Sequence, residues 1–497
     1  MSITSYDPTT GLPGGTIEET PPDEVTAAVA RSAAAAPWVA GAAPAERRGW
    51  LYAVAAALEE HRGELAALAQ SETALGLPRL EGEVLRAAGQ LRFYADVAVE
   101  GSYLAATLDE ATATAPALAR VNQPLGPVAV FGASNFPFAF GLLGNDFASA
   151  LAAGCPVVAK AHPAHPLLSA RLAALAADAL ERAGAPLGTL STVTGMQAGI
   201  DLVRADEITA VAFTGSQGGG MALWRAAGER ERVIPVYAEM GTVNPVVVTP
   251  AAVSRTAEVA AGLAGSFTLG NGQFCTKPGL ALAPAGSGFA AAVAQALRAV
   301  APDPVMLTSP IAAAVRAGLG ELTAAGGRPV ETAGGEGDGW RAPAAVLEAD
   351  AAALVPGSRL LAECFGPVVI VAEYRDQTEL ASILDRLQGA LAASVITAGA
   401  DDPHAPALVR TLSAKVGRVM VDDWPTGVAY TWAQQHGGPW PSTTDPRTTS
   451  VGAAALDRFV RPVTYQSIPD AWLPPALQPA NPWHLPRRIN GTVHLAG

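Results

Sequence analysis

The sequence has 497 residues, more than one compact core usually holds, so its length predicts two or more domains. Its net charge of −13 argues against nucleic acid or an anionic membrane as a partner, since both are also negative. Its three cysteines are widely spaced and indicate neither a disulfide framework nor a zinc knuckle. Because it has no charged leader and no long uncharged apolar run, we expect a cytoplasmic protein without a membrane segment.

The first predicted elements are helices. Residues 22–40 and 44–72 carry apolar side chains at helical spacing, with charged residues between them. From residue 127 the pattern changes, because short β-branched runs end at turns and helical segments follow at 139–154 and 167–183. The runs that we predict as strands are PVAVF, CPVVAK, EITAVAFTGS, RVIPVYAEMG and PVVVTP.

A second series of strand-like runs follows residue 275. Its members are FGPVVIVAEY, AASVITA and GRVMVDD. Apolar strands that alternate with helices predict parallel sheets covered on both faces, and therefore an α/β chain with two such domains. The proline-rich tail from residue 466 is expected to lie extended over a neighbouring surface.

Three segments carry residues with two interpretations each. The turn FTGSQGGG at 213–220 follows a strand and opens a helix, which favours phosphate binding, but its spacing is not G-x-G-x-x-G and also suits a structural turn. Glu239 ends the next strand and is either an ion-paired carboxylate or a general base. Asn135 follows a strand and is either a turn residue or an oxyanion donor.

Cys275 lies in GNGQFCTKPG, residues 270–279, and is either a buried thiol near a turn or a nucleophile. A cysteine hydrolase or acyltransferase that works without a nucleotide would need a histidine base. The seven histidines lie at 162–165 or are scattered, with none in a motif-like setting. The sequence therefore favours a nicotinamide-dependent reaction over this alternative.

Six segments, in the same order and at similar spacing over about 230 residues, resemble the aldehyde dehydrogenase family. They are SNFPF with Asn135, VAKAHPAHP with Lys160, FTGS with Gly215 and Ser216, AEMG with Glu239, GNGQFCTKPG with Cys275, and ECFGPV with Glu363 and Phe365.

The resemblance implies a catalytic role for three of these residues. Cys275 would attack the aldehyde carbon to give a thiohemiacetal, which becomes a thioester when hydride leaves to the nicotinamide. The Asn135 amide and the Cys275 backbone N–H would hold the oxyanion. Glu239 would activate the water that hydrolyses the thioester, and no metal is expected.

The resemblance also implies where the cofactor binds. Gly215 and Ser216 would contact the pyrophosphate and Lys160 the adenosine ribose. Glu363 would contact the nicotinamide ribose, and Phe365 would pack near the ring.

The cofactor preference rests on the residues after Lys160. In NAD-preferring members an acidic residue commonly follows this lysine by three positions, but here that position holds Pro163. His162 adds a possible hydrogen-bond donor to a phosphate. This pattern favours NADP, with NAD possible as well.

The segments HPAHP, GQFCTKPGL, HGGPWPSTTDPRTTSVG and RFVRPVTYQSIPDAWLPPAL resemble a narrower group within the family. That group holds bacterial 2,5-dioxopentanoate (α-ketoglutaric semialdehyde) dehydrogenases and a related NADP-linked fatty aldehyde dehydrogenase. We expect the first activity, with the medium-chain or long-chain fatty aldehyde activity as the alternative.

The resemblance places six mostly apolar residues along the aldehyde tunnel: Phe136, Ala139, Phe140, Leu143, Phe274 and Thr276. Such a lining tolerates an alkyl chain, whereas a semialdehyde with a carboxylate needs a cation from elsewhere, such as an arginine. The bulky Tyr430 and Trp432 lie where a substrate-facing loop is expected, which leaves the acceptor open.

The family resemblance implies two Rossmann-like parallel-sheet domains and a small β oligomerisation projection. We expect a dinucleotide-binding domain from 1–104 and 125–238 and a catalytic domain from 239–450. The projection and tail would comprise 105–124 and 451–497, with strands from ATAPALARVNQPLG and DRFVRPVTYQ that dock on another subunit. A homodimer or homotetramer is expected.

Overall fold

The computed structural model describes residues 2–495 as an α/β protein. Its strands, in chain order, are β1 (Ser2–Tyr6), β2 (Pro13–Glu18), β3 (Thr107–Asp109), β4 (Leu118–Pro124), β5 (Val128–Phe131), β6 (Val157–Lys160), β7 (Leu190–Val193), β8 (Ala210–Gly215), β9 (Val236–Met240), β10 (Pro245–Val248), β11 (Leu280–Pro284), β12 (Arg328–Ala333), β13 (Ala344–Asp350), β14 (Val368–Tyr374), β15 (Ala390–Ile396), β16 (Val416–Val421), β17 (Val460–Gln466), β18 (Arg487–Ile489) and β19 (Thr492–His494).

The helices alternate with these strands through most of the chain. They are α1 (Pro22–Gly41), α2 (Pro44–Glu60), α3 (Arg62–Thr73), α4 (Leu77–Glu100), α5 (Asn145–Ala153), α6 (Pro166–Arg182), α7 (Met196–Arg204), α8 (Gln217–Gly228), α9 (Thr256–Thr268), α10 (Phe289–Val300), α11 (Ser309–Ala324), α12 (Gln377–Arg386) and α13 (Ala405–Ser413). Within residues 2–495, every helix is too short or too polar to cross a bilayer.

The first large sheet is parallel throughout, in the order β7-β6-β5-β8-β9. Its successive residues face two different cores, because Val128 and Val130 pack toward α2 and α4 while Ala129 and Phe131 pack toward α7 and α8. Burial on both faces explains why these strands are largely apolar, with polar residues such as Lys160 and Glu239 near their carboxyl ends. The predicted parallel sheet is confirmed.

The second large sheet has the order β12-β13-β14-β11-β10-β15-β16. All its neighbouring strands are parallel except β12 and β13, which are antiparallel at one edge. Val247 faces one apolar core and Val246 and Val248 face the other, so this sheet is also covered on both faces. The two parallel sheets and their helices confirm the predicted fold class.

A third, smaller sheet has the order β17-β4-β3-β18-β19. The predicted pairing of the two distant segments occurs, with Leu118 opposite Gln466 and Pro124 opposite Val460 in antiparallel register. The distribution of strands among the three sheets supports the division into two domains and a β-projection, which stays a proposal. The hairpin of β1 and β2 at the start of the chain was not predicted.

The tail differs from the prediction that it lies extended over a neighbouring surface. Leu473, Leu477 and Leu485 are buried in the core that packs against α2 and α4, and β18 and β19 join the third sheet. The tail therefore packs on its own chain, because its apolar side chains find burial there.

The helix predicted from residue 139 begins later, at Asn145. The Asn145 N–H donates to the Ala139 carbonyl (3.0 Å) and the Phe140 N–H to the Phe136 carbonyl (3.1 Å), so residues 136–144 form consecutive turns. Two glycines in this stretch lower its helix propensity. These turns hold Asn135 and the aromatic side chains that follow it.

Candidate active site

Glu239 lies at the end of β9, where the chain leaves the first parallel sheet. Its strand pairs with β8 on one side, and on the other the Met240 N–H donates to the Ser442 carbonyl (2.8 Å). The Glu239 side chain is 2% exposed, and its two carboxylate oxygens have no hydrogen-bond partner among residues 2–495. A buried carboxylate without hydrogen bonds is unusual in a purely structural role.

Cys275 lies in a loop whose backbone permits few other sequences. Gly270, Asn271 and Gly272 adopt left-handed conformations, with φ of 57°, 59° and 69°. A side chain on Gly272 would overlap the backbone of Pro367, so this position requires glycine. Asn244 Nδ2 donates to the carbonyl of Cys275 (2.8 Å), which fixes the loop from below while the thiol stays half-buried.

His436 is the functional candidate that sequence reasoning missed. Its Nε2 lies 3.6 Å from Cys275 Sγ and 3.3 Å from Glu239 Oε2. Its backbone is held by Thr449 Oγ1, which accepts from the His436 N–H (2.7 Å), and by Ser450, whose N–H donates to the His436 carbonyl (2.9 Å).

The inference that the scattered histidines disfavour a cysteine hydrolase therefore loses its basis, because His436 lies beside Cys275. The two residues are 161 positions apart, and the loop that carries His436 reaches the site because it pairs with β9. The segment HGGPWPSTTDPRTTSVG begins at His436, but its resemblance assigned no role to the histidine. A cysteine hydrolase would also find its histidine base here. The histidines therefore do not distinguish a hydrolase from a nicotinamide-dependent enzyme.

The surroundings of Cys275 disfavour the thiolate. Burial and the charges of Glu239 and Glu363 raise the pKa of the Cys275 thiol well above its usual value, while Arg418 opposes this shift. The resting thiol is therefore protonated and needs a proton acceptor before it can attack. His436 Nε2 is placed to be that acceptor when its proton is on Nδ1.

The other two cysteines, Cys155 and Cys364, have no proton acceptor like His436 beside them among residues 2–495. Cys155 is buried, its Sγ donates to the Phe459 carbonyl (3.3 Å), and burial raises its pKa to about 11. Cys364 is also buried, and burial raises the pKa of its thiol. Neither thiol lies beside a histidine as Cys275 does.

Asn135 lies against the cysteine loop, as the resemblance implies. Its Nδ2 donates to the carbonyl of Gln273 (2.8 Å), two residues before Cys275, and its own carbonyl accepts from Arg79 Nη2 (2.7 Å). Gln273 is held in turn by the Leu307 N–H, which donates to its Oε1 (2.9 Å). The amide is thus fixed beside the nucleophile loop, where an oxyanion donor has to be.

The predicted phosphate and adenosine residues lie at one edge of the first parallel sheet. Ser216 caps α8, and its Oγ accepts from the Gly219 N–H (3.2 Å). Lys160 ends β6, and burial lowers its pKa to about 8. Because β6 and β8 are parallel and flank β5, their carboxyl ends meet at the same edge, the usual place for a dinucleotide.

His162 lies just beyond Lys160. Its Nδ1 accepts from the Ala164 N–H (3.1 Å), and its ring lies 5.4 Å from the ring of His165. Burial and the charges of His165 and Lys160 lower its pKa, so His162 is neutral at physiological pH. A neutral imidazole can donate one hydrogen bond but offers no charge.

Glu363 lies next to Gly241, the residue that follows β9. A side chain on Gly241, which follows β9, would overlap the Glu363 carboxylate. Glu363 Oε1 is buried without a hydrogen-bond partner among residues 2–495, and burial raises its pKa to about 7. An unpaired buried oxygen and a helix N-terminus at Ser216 both fit a nicotinamide dinucleotide. Phe365 lies two residues after Glu363 and is half-buried.

Three of the six predicted tunnel residues form an aromatic cluster next to the Cys275 loop. The Phe136 ring lies 5.0 Å from the Phe274 ring and 5.4 Å from the Phe140 ring. The Phe140 ring lies 6.3 Å from the ring of His436. We call the three phenylalanines Phe136, Phe140 and Phe274 the aromatic cluster.

The remaining tunnel candidates divide between this region and the core. Ala139 is fully buried in the apolar group that Phe136 and Tyr430 pack against, so Tyr430 belongs to the site. Thr276 is buried, and its Oγ1 has no partner among residues 2–495. Leu143 packs instead into the large core around α2 and α4. Trp432 is 56% exposed.

Comparisons with known proteins agree with this geometry. Residues 1–464 match the aldehyde dehydrogenase family. The chain is 44% identical to alpha-ketoglutaric semialdehyde dehydrogenase 2 of Azospirillum brasilense, over 89% of this chain and 87% of the relative. It is 40% identical to alpha-ketoglutaric semialdehyde dehydrogenase of Acinetobacter baylyi, over 90% and 87%.

Solved structures share the fold at low sequence identity. Betaine aldehyde dehydrogenase of Staphylococcus aureus superposes with a TM-score of 0.81 at 20% identity, covering 94% of this chain and 93% of that one. PnpE, solved in complex with nicotinamide adenine dinucleotide, gives 0.79 at 21% identity and 94% of each chain. The chain belongs to the aldehyde dehydrogenase family, whose members oxidise aldehydes with NAD(P).

Proposed function

We propose that this enzyme oxidises 2,5-dioxopentanoate to 2-oxoglutarate through a thioester on Cys275. The observation that carries the chemistry is that Cys275, His436 and the buried carboxylate of Glu239 meet, with side-chain atoms of all three within 4.8 Å of one another. The substrate is supported by the two semialdehyde dehydrogenases at 44% and 40% identity.

The first bond is made by the Cys275 sulfur. His436 Nε2 takes the thiol proton as Sγ attacks the aldehyde carbon, and the carbonyl oxygen becomes an oxyanion. The Asn135 amide and the Cys275 backbone N–H stabilise that oxyanion. Ser216, Lys160 and Glu363 would hold a nicotinamide dinucleotide, which would accept the hydride that leaves the thiohemiacetal carbon as the thioester forms.

The last bond is broken by water. Glu239 takes a proton from a water that attacks the thioester carbon, and the carboxylate product and the Cys275 thiolate are released. Glu239 Oε2 lies 3.3 Å from His436 Nε2, whereas Oε1 has no hydrogen-bond partner among residues 2–495 and can take this proton without losing one. His436 then returns its proton to the sulfur, and the proton on Glu239 and that of the carboxylic acid product pass to solvent.

NADP is the cofactor that we propose. No carboxylate stands at Pro163, three positions after Lys160, to repel a 2′-phosphate, and Lys160 brings a cation to the same edge. The His162 imidazole, neutral in the structure, contributes at most a hydrogen bond.

A homodimer or homotetramer is proposed as well. The edge strand β17 of the third sheet exposes alternate side chains and has a free side, and exposed sheet edges favour pairing with another copy.

The substrate and cofactor are tested by initial rates with 2,5-dioxopentanoate, succinate semialdehyde, pentanal and decanal, each with NADP and with NAD. We expect the highest kcat/KM for 2,5-dioxopentanoate with NADP, at least about 10-fold above pentanal, since one charge-assisted contact is worth that much. Highest kcat/KM for decanal would favour the fatty aldehyde alternative. A clear preference for NAD would contradict the inference from Pro163.

The role of His436 is tested by His436→Gln, which keeps a polar side chain but removes the proton acceptor. We expect alkylation of Cys275 by iodoacetamide at pH 8 to slow by about 10-fold, because less thiolate is present without the imidazole. The rate is measured by mass spectrometry in the absence of cofactor. The variant His404→Gln, at a histidine outside the site, serves as the control. An unchanged alkylation rate in His436→Gln would show that the thiol does not depend on this histidine.

A further inference from the structure

Two arginines of α4 stand behind the aromatic cluster. Arg79 Cζ lies 4.9 Å from the centre of the Phe136 ring and 5.1 Å from that of Phe274. Arg86 Cζ lies 5.8 Å from the Phe140 ring and 6.0 Å from the Phe136 ring. Both guanidinium groups therefore lie against the aromatic cluster, which includes Phe274, the residue before Cys275.

Each of the two guanidinium groups has one hydrogen bond to a backbone carbonyl and one buried nitrogen without a partner among residues 2–495. Arg79 Nη2 donates to the Asn135 carbonyl and Arg86 Nη2 to the Val428 carbonyl (2.6 Å). Arg79 Nη1 and Arg86 Nε are buried and have no hydrogen-bond partner among residues 2–495. Buried donors of a charged group cost free energy when they are unpaired, and guanidinium groups bind carboxylates well.

The nearest acid does not neutralise both arginines. Glu83 is one turn away from each on the same helix, but its Oε1 accepts from the N–H groups of Phe138 (2.9 Å) and Ala139 (3.0 Å). Burial raises the pKa of Glu83, against the opposing charges of Arg79 and Arg86. Two guanidiniums against one carboxylate leave an excess positive charge beside the tunnel.

Of the two, Arg86 is the better placed to bind a substrate group, because Arg79 is bonded to the segment that carries Asn135. Burial lowers the pKa of both guanidinium groups, and the Cys275 thiol is among the charges that oppose this shift for Arg86. The bond to the Asn135 backbone makes Arg79 a positioning residue for the oxyanion donor. Arg86 faces Phe140, whose ring in turn lies against His436.

We propose that Arg86 binds the carboxylate of the substrate, at the end of the molecule opposite the aldehyde. The inference rests on the proposed function and gives its substrate preference a structural cause. Four carbon–carbon bonds separate the two ends of 2,5-dioxopentanoate, so the chain would pass the aromatic cluster between Cys275 and Arg86. An alkanal of the same length would bury its alkyl chain against the cluster but leave Arg86 unpaired.

The test compares 2,5-dioxopentanoate with pentanal, which has five carbons and no carboxylate, in Arg86→Met. We expect the ratio of their kcat/KM values to fall about 10-fold to 100-fold, mostly through a higher KM for 2,5-dioxopentanoate, because methionine fills the space without a charge. Arg86→Lys should lower the ratio less, since lysine keeps the charge but loses the bidentate geometry. If Arg86→Met does not fold by circular dichroism, Arg86→Lys alone still has to lower the ratio.

Two matched variants complete the design. Arg92→Met removes an arginine from the same helix that pairs with Glu59 (2.6 Å) outside the site, and the ratio should not change. Arg418→Met removes the cation that opposes the raised pKa of Cys275. A selective loss in Arg418→Met, or a ratio that is unchanged in folded Arg86→Met, would overturn the proposal. If the unmodified enzyme oxidises neither aldehyde, the proposed function itself fails.

Discussion

Replacing Cys275 with alanine should abolish aldehyde oxidation, with kcat lowered by about 10⁴-fold or more. Alanine offers no atom that can bond to the aldehyde carbon, so neither the thiohemiacetal nor the thioester forms. His436, Glu239 and Asn135 would remain in place but would have no covalent intermediate to act on. The measurement is the absorbance of reduced nicotinamide in the presence of 2,5-dioxopentanoate and NADP.

The matched control is Cys155→Ala, which removes a buried thiol far along the chain from the reactive loop. Cys155 contacts the Phe459 carbonyl, and its loss should cost about 1 kcal/mol of stability without lowering turnover. The Cys275→Ala protein should give an unchanged circular dichroism spectrum, because the loop is held by Asn244 and by its glycines rather than by the thiol. Turnover retained in Cys275→Ala would contradict the nucleophile assignment.

The parts of the site that sequence could identify are those held by local patterns. Cys275, Glu239 and Asn135 each sit at the end of a strand or in a glycine-rich loop, and their order along the chain resembles a family. His436 opens a segment that resembles the narrower group, but neither that resemblance nor its place in the chain indicated a catalytic role. It comes from a long loop without helical or strand periodicity, and only the pairing of that loop with β9 brings it to Cys275.

The same distinction applies to the fold and to the substrate pocket. The strand β5 is apolar at every position because both faces are buried, so its pattern identifies it. Leu473 and Leu477 of the tail are buried on a surface that other segments create, so the local sequence does not show their burial. Arg86 looks like an ordinary polar position on a helix, and its place behind Phe140 follows from the packing of α4 on the turns after Asn135.

Replacing Glu239 with glutamine should separate the two halves of the reaction. We expect a burst of reduced nicotinamide equal to the enzyme concentration, followed by a steady-state rate about 10²-fold to 10⁴-fold below that of the unmodified enzyme. Glutamine keeps the size of the side chain but cannot take the proton from water, so the thioester accumulates. Stopped-flow absorbance measures both phases, and an undiminished steady-state rate would contradict the role of Glu239 as base.

The same variant should change the thiol in the opposite direction to His436→Gln. The charge of Glu239 raises the pKa of Cys275, so its removal lowers that pKa and increases the thiolate fraction at pH 8. Alkylation of Cys275 by iodoacetamide should therefore become faster in Glu239→Gln and slower in His436→Gln. If alkylation slows in Glu239→Gln, then Glu239 rather than His436 takes the thiol proton, and the two bases would have to exchange their assigned roles in the first step.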